Sequence, residues 1–202
     1  KTGAVWYAAF DGRQYQKPKK LFTASSATRV AISDDGRYIA VSYLYDKRTV
    51  KTAVCVYDVQ TCSLVTVPRA SLRDAGFVRG ADGSLLLCAV CFKQAPYTLS
   101  FYRVGRSARD FENVYRVSLA DGEIPYTPVD AGNGNAACIV KKGLDWKIRV
   151  YAHLPPVAAG SDAPSPMYTE FGSEKTIIHN LHSALLADGR RAYSFSYAAM
   201  GA

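Results

Sequence analysis

The sequence predicts an all-β protein made of repeated four-stranded antiparallel sheets, and three observations support this prediction. The chain of 202 residues is 49% hydrophobic and contains 14 tyrosines, and aromatic and β-branched residues favour strands. Apolar and polar residues alternate over short segments, as expected for strands with one buried face. Asx-Gly pairs, which favour tight turns between strands, recur at intervals of about 50 residues. These pairs are Asp35-Gly36, Asp82-Gly83, Asn133-Gly134 and Asp188-Gly189.

The residues around each of the first three Asx-Gly pairs define one unit of four strands. In the first unit, residues 27–67, we expect the Asp35-Gly36 turn to join the first strand to the second. Its strands are expected at Thr28–Ser33, Arg37–Tyr45, Lys51–Val59 and Ser63–Val67. The same order of strands and turns predicts a second unit at residues 72–119 and a third at residues 125–171.

The two ends of the chain each supply half of a unit. Residues 176–202 contain segments expected to form only first and second strands, and residues 3–23 contain only third and fourth strands. A repeat of four short strands every ~40–50 residues is typical of a β-propeller, in which each unit is one blade. We therefore predict a single β-propeller domain or propeller segment of about four blade units, in which residues 176–202 are completed by residues 3–23.

Two segments resemble the WD40-like and related bacterial propeller repeats. Residues 56–61, VYDVQT, are similar to the end of the third WD40 strand, with Tyr57-Asp58 where Trp-Asp is commonest. Residues 31–41, AISDDGRYIAV, are similar to the segment that joins the first two strands in those families. The Gly-His pair of WD40 repeats is absent, and only the first unit has an aromatic-Asp pair. The resemblance implies a ring of more than four blades, so we favour a fragment of a longer propeller, or a ring completed by a second copy, over a closed ring of four.

Charge and cysteine content bear on the partner and the compartment. The net charge of +8 is compatible with a polyanionic partner or with a basic surface that only keeps the protein soluble.

The five cysteines are an odd number, which argues against a complete disulfide framework and favours a reducing cytoplasm. Because the chain does not begin with methionine, a secreted or periplasmic location is left open. No apolar run is long enough to span a bilayer.

The sequence contains no pattern typical of an active site. It lacks the GxSxG, P-loop, HExxH and EF-hand motifs. Cys88 and Cys91 have CxxC spacing, and His179 and His182 are also three apart, but residues three apart on a strand point to opposite faces. Neither pair is therefore expected to converge on a metal, and we expect the two thiols to be packed and inert. We predict a protein that is not an enzyme and uses no metal or cofactor.

Loops at one rim of the predicted propeller form the candidate interaction surface. Connections between second and third strands and between successive blades should lie on this rim, where basic residues accompany aromatic ones such as Tyr97. The candidate rim residues are Lys47, Arg48, Lys51, Arg69, Arg73, Lys93, Lys142 and Trp146. Arginine and aromatic residues are enriched at protein interfaces, so we predict a non-catalytic scaffold that binds a protein partner through this rim.

Two alternative functions stay open. One is the propeller part of a larger hydrolase similar to prolyl-oligopeptidase-like proteins, whose catalytic residues would lie outside this chain. The other is a polyanion-binding module, whose affinity should fall steeply with salt. Separately, residues 154–166 have the composition of a linker. We expect an extended loop there, and docking of a partner to this loop is an additional hypothesis.

Overall fold

The computed structural model describes residues 2–46, 51–67, 71–92, 95–107, 110–152, 167–172 and 176–199. The strands formed by these residues are β1 (Thr2–Tyr7), β2 (Lys19–Ser25), β3 (Ala27–Ile32), β4 (Tyr38–Asp46), β5 (Lys51–Asp58), β6 (Ser63–Thr66), β7 (Leu72–Arg79), β8 (Leu85–Cys91), β9 (Thr98–Arg103), β10 (Asn113–Ser118), β11 (Glu123–Gly132), β12 (Asn135–Lys142), β13 (Asp145–Tyr151), β14 (Tyr168–Phe171), β15 (Thr176–Leu185) and β16 (Arg191–Ala199). Across the described part of the chain, no helix is long and apolar enough to cross a membrane.

Three antiparallel sheets of four strands form the middle of the chain. Strands β3–β6 form blade 1, β7–β10 form blade 2 and β11–β14 form blade 3, and the strands of each blade are ordered as in the sequence. Antiparallel order follows from the short connections, because only antiparallel neighbours can be joined by a tight turn. The predicted all-β fold with four-stranded antiparallel blades is therefore confirmed.

The Asx-Gly pairs join the first and second strands, but three of them do so differently from the expected two-residue turn. Asn133 and Gly134 have φ angles of 53° and 76°, as a two-residue hairpin turn requires. In the other three turns only the glycine has positive φ, and the aspartate carboxylate accepts a hydrogen bond from the backbone N–H two residues later. These donors are Arg37 (3.1 Å), Ser84 (3.0 Å) and Arg190 (3.0 Å). The aspartates thus act by Asx-type hydrogen bonding rather than by adopting positive φ.

The hydrophobic core lies between successive blades. In blade 1, Ala40, Val54 and Val56 pack towards blade 2, whereas Ile39 and Val41 pack towards the N-terminal hairpin β1–β2. Alternate residues of a strand point to opposite faces of its sheet, so the same strands supply both interfaces. Equivalent clusters join blade 2 to blade 3 and blade 3 to the C-terminal hairpin β15–β16.

The cysteines follow the same two-faced pattern. Cys88 is buried in the cluster between blades 2 and 3, whereas Cys91 packs against the cluster between blades 1 and 2. The prediction that the two thiols point to opposite faces of one strand is confirmed. Burial raises the pKa of the Cys55 and Cys138 thiols to about 12, which makes thiolate formation at these two positions unfavourable near neutral pH.

The terminal hairpins β1–β2 and β15–β16 form separate two-stranded sheets in this structure. No strand pairing joins the two hairpins within the described residues, so the completion of one hairpin by the other stays a prediction. Blade faces beside both hairpins are left uncovered. Val30 and Ile32 of β3 pair with Val41 and Ile39 of β4. Val41 and Ile39 are buried against the N-terminal hairpin, but Val30 and Ile32 are 53% and 54% exposed.

An apolar groove of about 740 Å³ marks the uncovered face at the other end of the chain. It lies between blade 3 and the C-terminal hairpin, and its lining includes Ile148, Val150, Phe171, Phe195 and Tyr197. The groove exists because a two-stranded hairpin covers only part of a four-stranded blade. Each end of the chain thus exposes the surface that half a blade would cover.

Candidate functional site

The structure describes only part of the predicted interaction rim. Lys47, Arg48, Arg69 and Lys93, the side chain of Lys51, and the proline-rich loop 154–166 lie outside the described residues. Arg73, Lys142 and Trp146 are described: Arg73 lies in β7, exposed Lys142 ends β12, and Trp146 lies near the start of β13.

Arg73 lies between two aromatic rings that belong to different blades. Its guanidinium carbon is 5.0 Å from the centroid of the Phe92 ring and 5.6 Å from that of Tyr126. Phe92 in turn contacts Tyr97, with 4.7 Å between the ring centroids. Arginine over an aromatic face is an electrostatically favourable contact, so Arg73 connects an aromatic pair on blade 2 to blade 3.

The aromatic contacts continue from blade 3 to the C-terminal hairpin. Tyr126 stacks on Trp146 at 5.8 Å between centroids, and Trp146 contacts the imidazole of His179 at 5.4 Å. The ammonium of Lys141 lies 5.1 Å from the centroid of the Trp146 ring. We call the whole set the rim row; its members are Arg73, Phe92, Tyr97, Tyr126, Lys141, Trp146 and His179.

The rim row lies at one end of the strands because its members occur near the starts of first and third strands and the ends of second strands. Its side chains are half-buried, except for His179, which is exposed. Burial raises the pKa of the Tyr126 hydroxyl, while the charge of Arg73 opposes this shift. The row therefore forms a partly buried surface of aromatic rings and cationic groups.

Sequence reasoning identified Arg73, Tyr97 and Trp146 but missed the other members of the row. Tyr126 and His179 lie inside first strands, where a single sequence does not show that they contact the rim. The prediction that His179 and His182 do not converge agrees with the structure, because His179 contacts Trp146 whereas His182 lines a different pocket. No group of three metal-ligating side chains occurs among the residues that the structure describes.

A small polar pocket lies where the first strands of the blades meet. Strand β7 contacts both β3 and β11, and β11 contacts β15. All four strands line a cavity of about 160 Å³, which we call the axial pocket. Its charged or titratable lining residues are Arg29, Asp34, Arg79, Asp130 and His182. Strands β7 and β11 approach so closely here that a Cβ at Gly76 would collide with the carbonyl oxygen of Pro128.

Arg191 of β16 links the axial pocket to two blades. Its guanidinium donates to the carboxylates of Asp34 in the first turn of blade 1 and Asp130 in β11, each at 2.7 Å. Burial raises the pKa of Asp130, and the charge of Arg191 opposes this rise. Residues 157 positions apart in the sequence are thus joined by one side chain.

Each first strand also contains a β-bulge. The strand registers shift between Ala27 and Arg29, Arg73 and Ala75, Tyr126 and Val129, and His179 and His182. Asp74, Thr127 and Asn180 lie within three of these bulges and have φ angles of 47°, 47° and 53°. Positive φ is uncommon for residues other than glycine, and bulges bend a strand and redirect its side chains. Strain is indicated at Thr127 of β11, because a β-branched residue rarely adopts positive φ, whereas aspartate and asparagine adopt it more readily.

Comparison with solved structures shows the β-propeller fold. The chain is similar to TolB from Acinetobacter baumannii, with a TM-score of 0.55, 9% sequence identity, and coverage of 95% of this chain and 48% of TolB. It is also similar to the β-propeller domain of the Trilobed protease from Pyrococcus furiosus, with a TM-score of 0.48, 13% identity, and coverage of 91% and 56%. The chain thus spans about half the length of the solved chains it matches. No family model and no curated protein sequence matches it.

Proposed function

We propose that this β-propeller is a non-catalytic scaffold that binds a protein partner through the rim row. The contact of Arg73 with Phe92 and Tyr126, continued through Trp146, is the observation that carries the proposal. Tryptophan, tyrosine and arginine are enriched among the residues that dominate the binding energy of protein interfaces. Tryptophan and tyrosine present large areas at low entropic cost, and arginine adds charged hydrogen-bond donors and stacks on aromatic faces. The WD40-like resemblance of residues 31–41 and 56–61 supports the same assignment and is part of the proposal.

The rim row suits a protein better than a small ligand. Its side chains extend over blades 2 and 3 and the C-terminal hairpin, so a partner must contact several blades at once. The row is cationic through Arg73 and Lys141, and exposed Lys142 is adjacent. An acidic or aromatic-rich protein surface is therefore the expected partner chemistry.

The proposal can be tested by substitution within the row and at a position outside it. Partners captured by the immobilised chain from a lysate of the expressing cells would be purified, and their dissociation constants measured with each variant. We expect Arg73→Ala and Trp146→Ala each to weaken binding about tenfold or more. Arg190→Ala is the control, since the Arg190 side chain is 79% exposed and lies beside the turn between β15 and β16, close to the opposite rim. A dissociation constant unchanged by both rim substitutions, or raised equally by the control, would contradict the proposal.

The charge of +8 favours polyanion binding as a second candidate function. This function predicts retention on immobilised heparin that collapses between low and physiological salt, with a linear log–log dependence. A protein partner held by the aromatic contacts of the rim row should show a much weaker salt dependence. Measuring both at two salt concentrations separates the candidates.

A further inference from the structure

Arg29 in the axial pocket carries a charge that has no hydrogen-bonded partner among the described residues. It follows the bulge in β3, opposite Ser42 of β4, and its side chain is half-buried. Its Nε is buried, and none of the described residues accepts a hydrogen bond from it. Asp74 is close enough to act on Arg29 electrostatically but forms no hydrogen bond with it. A buried guanidinium donor without an acceptor is unfavourable, so its presence calls for an explanation.

The acidic groups that line the same pocket are already paired. Asp34 and Asp130 each accept a hydrogen bond from Arg191 at 2.7 Å. Arg79, the other arginine of the lining, lies near the turn of its own blade and donates to the carbonyl of Gly83 at 3.4 Å. Among the described residues, Arg29 is thus the arginine of the lining that makes no side-chain hydrogen bond and whose Nε is buried without an acceptor.

We propose that the axial pocket binds a carboxylate group, with Arg29 as its bidentate partner. The planar guanidinium matches the geometry of a carboxylate. The lining also includes Ala31, Phe77 and Val129, which would contact a short aliphatic chain. The volume of about 160 Å³ is close to that of an engineered cavity, about 150 Å³, that holds benzene. The acids Asp34 and Asp130 in the wall disfavour a doubly charged anion such as phosphate.

The carboxylate has two chemically equivalent sources, a free short-chain acid or an acidic side chain of a peptide that enters the pocket. Butyrate represents the first source, and an N-acetylated, C-amidated tripeptide Gly-Asp-Gly represents the second. Tighter binding of the tripeptide than of butyrate identifies a peptide ligand, and the reverse order identifies a free acid. The proposal stands independently of the rim row, since it depends on none of the row's residues.

The test measures binding of both probes by calorimetry to the 202-residue chain, with sodium chloride at matched ionic strength as the reference. We expect Arg29→Gln to weaken binding of the better probe at least about tenfold, since a hydrogen bond to a charged group is lost. Arg29→Lys should recover part of the loss because it keeps the charge but not the fork. Arg190→Gln, whose parent side chain is 79% exposed, should leave binding unchanged.

A second measurement on the unsubstituted chain keeps the proposal testable if the Arg29 variants fail to fold. The Nε–H resonance of Arg29, followed by NMR, should shift and saturate with the better probe and remain unmoved by sodium chloride. Failure of both probes to shift this resonance would mean that the pocket holds water only and would overturn the proposal. A larger shift with inorganic phosphate than with either carboxylate would also overturn it.

Discussion

Arg191 is the side chain whose loss should show most directly how the C-terminal hairpin is held. Its side chain is 9% exposed, and it pairs with the Asp130 side chain, which is 6% exposed. Its second partner, Asp34, is more exposed. Replacing Arg191 by Met keeps most of the side-chain volume but removes the charge, the two hydrogen bonds to the carboxylates, and a longer one to the Ser183 hydroxyl at 3.4 Å. The substitution therefore leaves the Asp130 carboxylate buried without its cation.

The expected loss follows from the burial of each pair. Breaking a buried ion pair by removing one partner costs about 3–5 kcal/mol, because the remaining charge is uncompensated. The partly exposed pair with Asp34 adds at most about 1 kcal/mol. We therefore expect Arg191→Met to lower the free energy of unfolding by about 3–6 kcal/mol at pH 7.

The loss should depend on pH with a definite sign. Burial raises the pKa of Asp130 even with Arg191 in place, and removal of Arg191 raises it further. The pKa of an aspartate in the unfolded chain is near 3.9. A carboxyl group whose pKa is higher in the folded state stabilises the fold fully only below that value, where it is protonated. This contribution to stability is lost as the pH rises through the folded-state pKa. The deficit of Arg191→Met should thus be largest at neutral pH and should shrink as the pH falls and Asp130 becomes protonated.

Urea denaturation at several pH values, combined with hydrogen exchange, measures both effects. Hydrogen exchange should accelerate in β15 and β16. The amides of β8, which lies in blade 2 and is far from the hairpin in the strand order, should keep their protection. Arg190→Gln is the matched control at the neighbouring position, and it should leave stability and exchange unchanged. Equal losses in both variants, or a deficit that grows on acidification, would refute the reasoning.

Three further predictions concern other parts of the molecule. Arg149 donates hydrogen bonds to the carboxylates of Glu123 and Glu170. Arg149→Met should therefore lower the free energy of unfolding by about 3–5 kcal/mol. A loss below ~1 kcal/mol in urea denaturation would contradict this. Hydrogen bonding by Tyr57 and the charge of Lys19 lower the pKa of exposed Cys62. The Cys62 thiol should therefore react with iodoacetamide before the other cysteines do. Mass spectrometry that finds another cysteine labelled first would disprove this prediction. The uncovered apolar faces at both ends of the chain predict self-association, so light scattering should give a mass above the monomer's 22.0 kDa. A stable monomer would instead favour a ring of blades that closes within one chain.

Much of the blade architecture was predictable because each blade is assembled from neighbouring segments. The Asp35-Gly36 turn and the alternating strands beside it are local signals, and a tight turn forces the strands that it joins to pair. The same locality explains the correct prediction for Cys88 and Cys91, since strand geometry alone places residues three apart on opposite faces. The Asp35-Gly36 turn differs from the expected two-residue hairpin turn, because only Gly36 has positive φ and the Asp35 carboxylate instead accepts a hydrogen bond from the backbone N–H of Arg37.

The candidate sites needed the tertiary structure because their residues come from different blades. The rim row joins Arg73 to Trp146 and His179 through Tyr126, and no sequence period places these side chains in contact. The bulges that redirect Asp74 and Thr127 also leave no local signal in a single sequence.

The sequence by itself determined the blades, because hairpin formation depends on turn residues and on the alternation of apolar side chains over a few positions. Only the tertiary structure decided which charges meet at the axis, where Arg191 contacts an aspartate 157 positions away and the buried Nε of Arg29 has no acceptor among the described residues. The physical reason is that strand pairing is a short-range property of the chain. The arrangement of one blade against another depends on packing between faces, which brings together residues that are distant in the sequence.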